Sequence, residues 1–406
     1  MRSVAEALEI VLGAAAPLGA ETVPLAEARG RFLAEPVAAD RDAPPSDRSA
    51  MDGFAVRAKD AAAGAVLRIG GELPAGRSAD GVRVLAGTAI RIFTGAVVPE
   101  GADAVVMVEA TDEDRGTGRL TVREAAVPGQ HIRRRGEDAR AASPVLEEGR
   151  NLGPAEIAAL ASVGRATVRV GKRPSAVVLS TGDEIVGIAD APAPHQIRNS
   201  NAPMLTALLR DEGAAAEERG NVADDPEALA AAIEAAGASD LVLLSGGVSV
   251  GDYDLVEDAV RRCGYDVLFH NVAMRPGKPL LAARRERRLL FGLPGNPLSA
   301  FAGFRVFVLP AVRRLMGDPA PRPARRRAVL AEALRQRPGR EGYVLARLTW
   351  PDGEPVAVPV RSASSGDVLS LARANAFVVV PAGTSSLDAG ARVDVMAWGA
   401  RAPGEA

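Results

Sequence analysis

Between Ser175 and about residue 317 the sequence repeats one pattern: a short apolar run, a polar glycine-rich loop, then a helical stretch. Ala176-Val177-Val178-Leu179-Ser180 runs into Thr181-Gly182-Asp183-Glu184, and Leu241-Val242-Leu243-Leu244 runs into Ser245-Gly246-Gly247. Helices are expected from Pro203 to Glu212, over 226–236, at about 254–263 and from Pro297 to Met316. Asp225 is placed to cap the second of these, with Pro226 at its first position. A strand at 266–272 and a hairpin around 280–293 complete the region. Apolar strands alternating with helices fold as an open, mostly parallel sheet. Such sheets bind ligands in the crevice at the carboxyl ends of the strands, where both glycine-rich loops fall.

The flanks follow other rhythms. Residues 1–40 read as helical, with one helix from Val4 to Leu18 and a second from Leu25 to Ala34. Short β runs broken by glycine and proline, such as Ala65 to Ile69, Thr88 to Ile92 and Ala104 to Val108, suggest a small, mostly β domain. A helix over Pro154 to Val163 and a strand at Thr167 to Val170 form a connecting region. After the proline-arginine segment at 318–323, β runs at Tyr343 to Leu348, Val356 to Val360 and Ala376 to Val380 indicate a C-terminal barrel or sandwich. The expected divisions are 1–41 with 143–174 (residues 1–22 packing on the α/β domain), 42–142, 175–318 and 319–406.

Composition removes several function classes. Lys plus Arg (49) nearly balances Asp plus Glu (51), which argues against a nucleic-acid binder. A single cysteine, Cys263, excludes an intrachain disulfide framework and multi-cysteine metal sites, and three histidines make a zinc centre built on several of them improbable. Apolar runs fall short of the roughly 18 residues of a membrane span, and Glu6 and Glu9 stand where a signal peptide would be apolar. A soluble, cytoplasmic protein is expected. Only Lys59, Lys172 and Lys278 are lysines, so the other basic residues are arginine, and any lysine kept against that background is a candidate for a specific role.

Three constellations have the makings of chemistry. The loops at Ser180 to Glu184 and at Ser245 to Asp254 combine hydroxyls, glycines that let a backbone approach an anion, and carboxylates that suit a phosphate crevice when Mg²⁺ lies between. Each loop alone is also compatible with ordinary βα turns and solvated acids. Met274-Arg275-Pro276-Gly277-Lys278-Pro279 sets two cations around a rigid turn, and Gly292-Leu293-Pro294-Gly295-Asn296-Pro297 offers backbone N–H groups at a helix start. The alternative there is a tight turn with exposed charges. The third constellation, Pro44 to Ala55 with Phe93-Thr94-Gly95 and Arg133 to Asp138, reads first as turn chemistry.

In this order the motifs resemble those of the molybdopterin molybdenumtransferase family, over nearly the whole chain. The resemblance rests on Asp47 to Gly53, Phe93-Thr94-Gly95, Arg135 to Asp138, Ser180 to Glu184, Ser245 to Asp254, Pro276 to Pro279 and Leu293 to Pro297. It implies an α/β multidomain chain: a central Rossmann-like, molybdopterin-binding α/β domain, a small mostly β domain, an elongated α/β connecting region and a C-terminal β-barrel. It further implies a homodimer whose active-site cleft is shared, with Asp52, Thr94 and Asp138 facing the α/β domain of the other copy. Glu184, Asp225 and Asp254 match family carboxylates around the adenylylated substrate, and Glu184 and Asp254 are the implied Mg²⁺ ligands. Ser180, Thr181, Gly182, Ser245, Gly246, Gly247, Ser249 and Gly251 line the implied substrate pocket with Pro279, Pro294 and Pro297. Arg275, Lys278 and Ser299 match the molybdate and phosphate side, joined by Arg340 and by Ser365 or Ser370. Arg275 departs from the lysine of many members, and Ser46 from a common aromatic. The implied activity is insertion of molybdate into adenylylated molybdopterin with release of AMP. The implied partners are the molybdopterin adenylyltransferase and the recipient molybdoenzymes, with no nucleic acid and no membrane. An adenylyltransferase, or a non-enzymatic scaffold on the same fold, is the alternative.

Overall fold

The computed structural model describes residues 1–247 and 255–398, and among these no helix is long and apolar enough to cross a membrane. The chain divides into two compact units: one holds Met1–Ala34, Gly149–Gly153 and the chain from Thr167 onward, and the other holds Glu35–Glu148 and Pro154–Ala166.

In the larger unit, the apolar strand Leu241–Ser245 is buried along its whole length. Each such Leu or Val side chain withdrawn from water contributes roughly 1.5–3 kcal/mol. It lies parallel between strands Ser175–Thr181 and Arg288–Leu293, with Ala216 and its neighbours in Ala215–Val222 at the far edge. The sheet then turns antiparallel through Leu281–Arg285 and Asp266–His270, the former being one arm of the expected hairpin. At the amino ends of the parallel strands, the Ser175 N–H and hydroxyl both donate to Asp240 Oδ2 (2.8 and 2.7 Å), which sets the register Ala176↔Leu241.

Helices cover both faces. Asn201–Asp211 and the Pro297–Leu315 segment pack on one face with the N-terminal helix Val4–Ala14; Pro226–Ala235 and Leu255–Arg262 pack on the other. Val4–Ala14 opens with a capping box in which Ser3 Oγ accepts from the Glu6 N–H while Glu6 Oε2 accepts from the Ser3 N–H. The long helix expected from Pro297 to Met316 widens to a π turn over Phe304–Val308 before Leu309–Leu315. Pro310 has no N–H to return to the preceding turn, which favours the wider winding just before it.

The N-terminal region is less helical than its sequence suggests. The expected helix Leu25 to Ala34 is reduced to a 3₁₀ turn at Leu25–Glu27, preceded by a strand, Ala20–Pro24, that pairs antiparallel with Thr167–Gly171. Buried Arg31 decides this. Its guanidinium donates to the Gly171 carbonyl (3.0 Å from Nε) and pairs with Glu21, tying the segment to the strand pair.

The C-terminal strands Glu341–Thr349, Val356–Pro359, Arg326–Leu330, Arg392–Ala397 and Ala376–Val380 pair in that order, and the last returns to the first, closing a five-stranded barrel. Its interior holds Leu330, Leu348, Val378 and Val395, all buried. In the smaller unit a six-stranded sheet runs in the order Ala104–Met107, Gly53–Val56, Thr88–Ile92, Val66–Leu73, Arg119–Val122, Thr111–Asp114. Phe54, Val106 and Leu120 fill one face of that sheet, and Ile90, Ile92 and Val105 the other.

Candidate functional site

A cleft of about 630 Å³ opens at the carboxyl ends of strands Ser175–Thr181 and Leu241–Ser245. The first strand end supplies Ser180, Thr181, Gly182 and Glu184, and the second supplies Ser245, Gly246 and Gly247. Pro279, Pro294 and Pro297 form another wall. The two strand ends touch backbone to backbone: a Cβ on Gly246, whose φ is +110°, would lie 2.4 Å from the Thr181 carbonyl oxygen.

Asparagines tie these loops together. Asn201 Nδ2 donates to Ser245 Oγ (2.8 Å) and to the Gly295 carbonyl (2.7 Å). Asn199 Nδ2 donates to Ser180 Oγ (2.9 Å), Asn221 Nδ2 to the Gly182 carbonyl (2.8 Å), and Asn296 Nδ2 to Ser365 Oγ (3.0 Å). Thr181 Oγ1 and Asn201 Oδ1 are buried with no hydrogen-bond partner among the described residues, an arrangement that costs free energy unless something else pairs with them. Two backbone N–H groups beside the cleft are engaged: Gly246 N–H donates to the Leu293 carbonyl (3.0 Å) and Leu298 N–H to the Ser365 carbonyl (3.1 Å). Arg198 adds a guanidinium to the lining.

The acids lie at one side. Glu184 and Asp224 both line the cleft, and the Asp224 N–H donates to Asp183 Oδ1 (3.3 Å). Partial burial and the charges of Asp183 and Glu184 push the Asp224 carboxyl above its usual value. Asp225 does not line the cleft; its carboxylate caps helix Pro226–Ala235, accepting from the N–H groups of Glu227 (3.1 Å) and Ala228 (2.8 Å). Because native Asp224 keeps its proton to higher pH than the unfolded chain does, its contribution to stability falls as pH rises from the ordinary aspartate value to the raised one. Asp224→Asn is accordingly expected to raise the thermal transition at neutral pH and to flatten its pH dependence across that interval. Melting curves at a series of pH values check this; a variant that melts lower at pH 7 overturns it.

Among the cations, Arg275 lines a second cavity of about 510 Å³ with Arg335, Gln336 and Arg337. Partial burial, then the charges of Arg340 and Arg337, lower the Arg275 pKa, so Arg275 and Arg340, 65 positions apart, act in one neighbourhood. Lys278 is exposed, on a turn whose carbonyl accepts from the N–H groups of Val272 and Leu280 (3.0 Å each). Ser299 is buried. Ser365 reaches the cleft wall through Asn296, whereas Ser370 is fully buried and its hydroxyl donates to the Asp367 carbonyl (2.7 Å), which withdraws it from any ligand. Ser249, Gly251 and Asp254 lie outside the described residues, and among the rest no three of His, Cys, Asp or Glu are grouped so as to hold a metal ion.

In the smaller unit, Asp52 Oδ1 accepts from both the N–H and the hydroxyl of Thr94 (2.7 Å each), which hold its carboxyl below the usual range. Asp138 pairs with Arg133 (2.6 Å to Oδ1), and the Asp138 N–H donates to the Ala43 carbonyl (2.9 Å). Strand pairing of Arg48–Ser49 with Ile132–Arg133, and the bridge Arg48↔Val97, lace the three polar loops into one exposed surface. What reads as separate turns in sequence is a single platform.

Residues 2–164 match the MoeA N-terminal region (domain I and II), 177–314 a probable molybdopterin binding domain, and 327–398 the MoeA C-terminal region (domain IV). The molybdopterin molybdenumtransferase of Bacillus subtilis (strain 168) is 38% identical over 383 residues, covering 93% of this chain and 89% of that one. The chain belongs to the molybdopterin molybdenumtransferase family. Molybdopterin molybdenumtransferase 2 of Mycobacterium tuberculosis (strain CDC 1551 / Oshkosh) is likewise 38% identical, over 97% of this chain and 99% of the relative. The molybdopterin biosynthesis MoeA protein from Pyrococcus horikoshii superposes with a TM-score of 0.80 at 31% identity, covering 98% of this chain and 99% of that one. In this member of the molybdenumtransferase family, the expected α/β assembly with its closed C-terminal barrel is present. Arg198, Asn199, Asn201 and Asp224 are cleft residues that the sequence motifs did not single out, and Asn221 supports the cleft through the Gly182 carbonyl. An Asn-Ser-Asn run (199–201) just ahead of a helix was the available signal.

Proposed function

We propose that this chain inserts molybdate into adenylylated molybdopterin, releasing AMP and forming the molybdenum cofactor. The observation that carries the reading is the Met274 to Pro279 turn. Arg275 at its start lines the arginine cavity and Pro279 at its end lines the glycine-walled cleft, so one turn joins a cationic cavity to the cleft at the strand ends. An activated pterin linked to a nucleotide, placed beside a tetrahedral dianion, is the substrate pair that such a pocket suits.

The roles follow from position. Ser180, Thr181 and Ser245, with Arg198, offer hydroxyl and guanidinium donors to the phosphates, and Gly182, Gly246 and Gly247 let the ligand approach the loops closely. Arg275, Lys278, Arg340 and Ser365 bind and orient molybdate, and Ser299 supports their turn. The dithiolene of the pterin captures molybdenum, so the chain needs no thiol or imidazole ligand of its own, in keeping with one buried cysteine, Cys263, whose thiol burial pushes up to about 11. Mg²⁺ suits the acidic side of the cleft: it is commonly held by one or two carboxylates plus substrate phosphates, and the crowding felt by Asp224 marks surplus negative charge there. Glu184 and Asp254 are its proposed ligands, and when bound it neutralises charge developing on the phosphates. In the proposed homodimer, Asp52, Thr94 and Asp138 of a second copy complete the cleft.

The test is AMP release from adenylylated molybdopterin by the purified protein. Release is expected to depend on added molybdate and on Mg²⁺. ATP consumption with free molybdopterin, or no release under any condition, overturns the proposal.

A further inference from the structure

Arg275, Arg335, Arg337 and Arg340 form a patch of like charge. None of these four guanidinium groups makes a side-chain hydrogen bond or an ion pair among the described residues, whereas the nearby Arg325 pairs with Glu341 (3.2 Å) and Arg327 with Asp394 (2.9 Å). Gathering like charges without counter-charges costs Coulomb energy, and the lowered Arg275 pKa records part of that cost.

The patch is held rigidly. Gln336 Nε2 donates to the carbonyls of Pro381 (3.2 Å) and Thr384 (3.3 Å), the Gln336 N–H to Ser385 (2.9 Å), and the Gly339 N–H to Ala382 (2.7 Å). Arg275 is fixed to the same frame by parallel pairing with Gly342, where a Cβ would lie 2.2 Å from Gln336 Oε1. Arg335 and Arg337 flank Gln336 in sequence and are exposed, whereas Arg275 is half-buried. The patch therefore has an inner side at Arg275, with Arg340 beside it, and an outer pair, and its formal charge of four exceeds what one dianion neutralises.

We propose that Arg335 and Arg337 are capture residues for the tetrahedral oxyanion. They draw the dianion from solution toward Arg275 and Arg340 and speed its encounter, while Arg275 and Arg340 hold it during the reaction. This rests on the molybdate-insertion reading above. Capture of this kind acts through charge rather than fork geometry, and it weakens as salt screens the outer pair.

The experiment compares wild type, the double variant Arg335→Gln/Arg337→Gln and the double variant Arg335→Lys/Arg337→Lys. AMP release is followed against molybdate concentration at low and high NaCl. The glutamine variant is expected to need about tenfold more molybdate for half-saturation at low salt with its maximal rate retained, and to converge on wild type near about 0.5 M salt. The lysine variant is expected to track wild type. Unchanged half-saturation in the glutamine variant, a fall confined to the maximal rate, or a lysine variant as impaired as the glutamine one overturns the proposal. Calorimetric titration of the same proteins with molybdate alone separates the two readings. If wild type releases no AMP, the functional reading fails, while a salt-sensitive loss of molybdate affinity in the glutamine variant still upholds capture.

Discussion

Replacing Lys278 with alanine is expected to lower molybdate-dependent AMP release by about 100- to 1,000-fold, the usual consequence of removing one preorganised charge-stabilising donor from a reaction centre. Lys278 stands between Gly277 and Pro279 on a turn held at both sides by its own carbonyl, so its ammonium is delivered from a fixed backbone. The side chain is exposed and makes no ion pair among the described residues, so the substitution leaves no buried partner behind and the thermal transition should stay in place. Lys278→Arg should recover only part of the rate, because a planar fork does not reproduce a compact ammonium. Rates measured against molybdate concentration, beside melting curves for the same proteins, check this. A molybdate dependence identical to wild type removes Lys278 from the site.

Gly246→Ala is expected to combine loss of stability with loss of function. At φ +110° an L side chain is strained by about 1–3 kcal/mol, and the new methyl would also meet the Thr181 carbonyl at 2.4 Å. Relief requires the 245–247 segment to move away from Thr181, separating the two strand ends that form the cleft. The α/β region should melt several degrees lower, and AMP release should fall to background. Calorimetry together with the release assay tests both parts; a variant matching wild type in each would show that the two loops do not need their close approach.

Much of the α/β region is legible in sequence because its strands are buried on both faces. Leu241 to Leu244 has little alternative to a central strand, and the loop after it must then open at the carboxyl edge of the sheet. Asp225-Pro226 likewise announces its helix, since capping is a local interaction that needs no tertiary partner. The same local strength explains how Asp225 can be read either as a functional carboxylate or as a cap: its backbone contacts are short-range, and the cleft takes the neighbouring Asp224 instead.

The misreadings share a cause. Leu25 to Ala34 has the composition of a helix, yet a buried arginine and a strand partner some 140 residues away override it. Ser370 and Ser365 are indistinguishable as residues; one is consumed by its own short helix and the other is held at the cleft wall by Asn296. The N–H groups of Gly246 and Leu298 are taken up by carbonyls of other loops, pairings that no local pattern announces.

What the sequence determined on its own is the alternation of strands and helices, the end of the sheet that carries the glycine loops, and membership of the molybdenumtransferase family. Apolar periodicity, caps and motif order are properties of neighbouring residues, and so they survive in one dimension. Tertiary structure alone decided which polar groups are spent and which remain available. Asn201 and Gln336 reach across the fold to do the tying, and Arg275, Arg335, Arg337 and Arg340 gather without a counter-charge. Whether a hydrogen bond or an ion pair is satisfied depends on atoms brought together by folding, and those atoms are far apart along the chain.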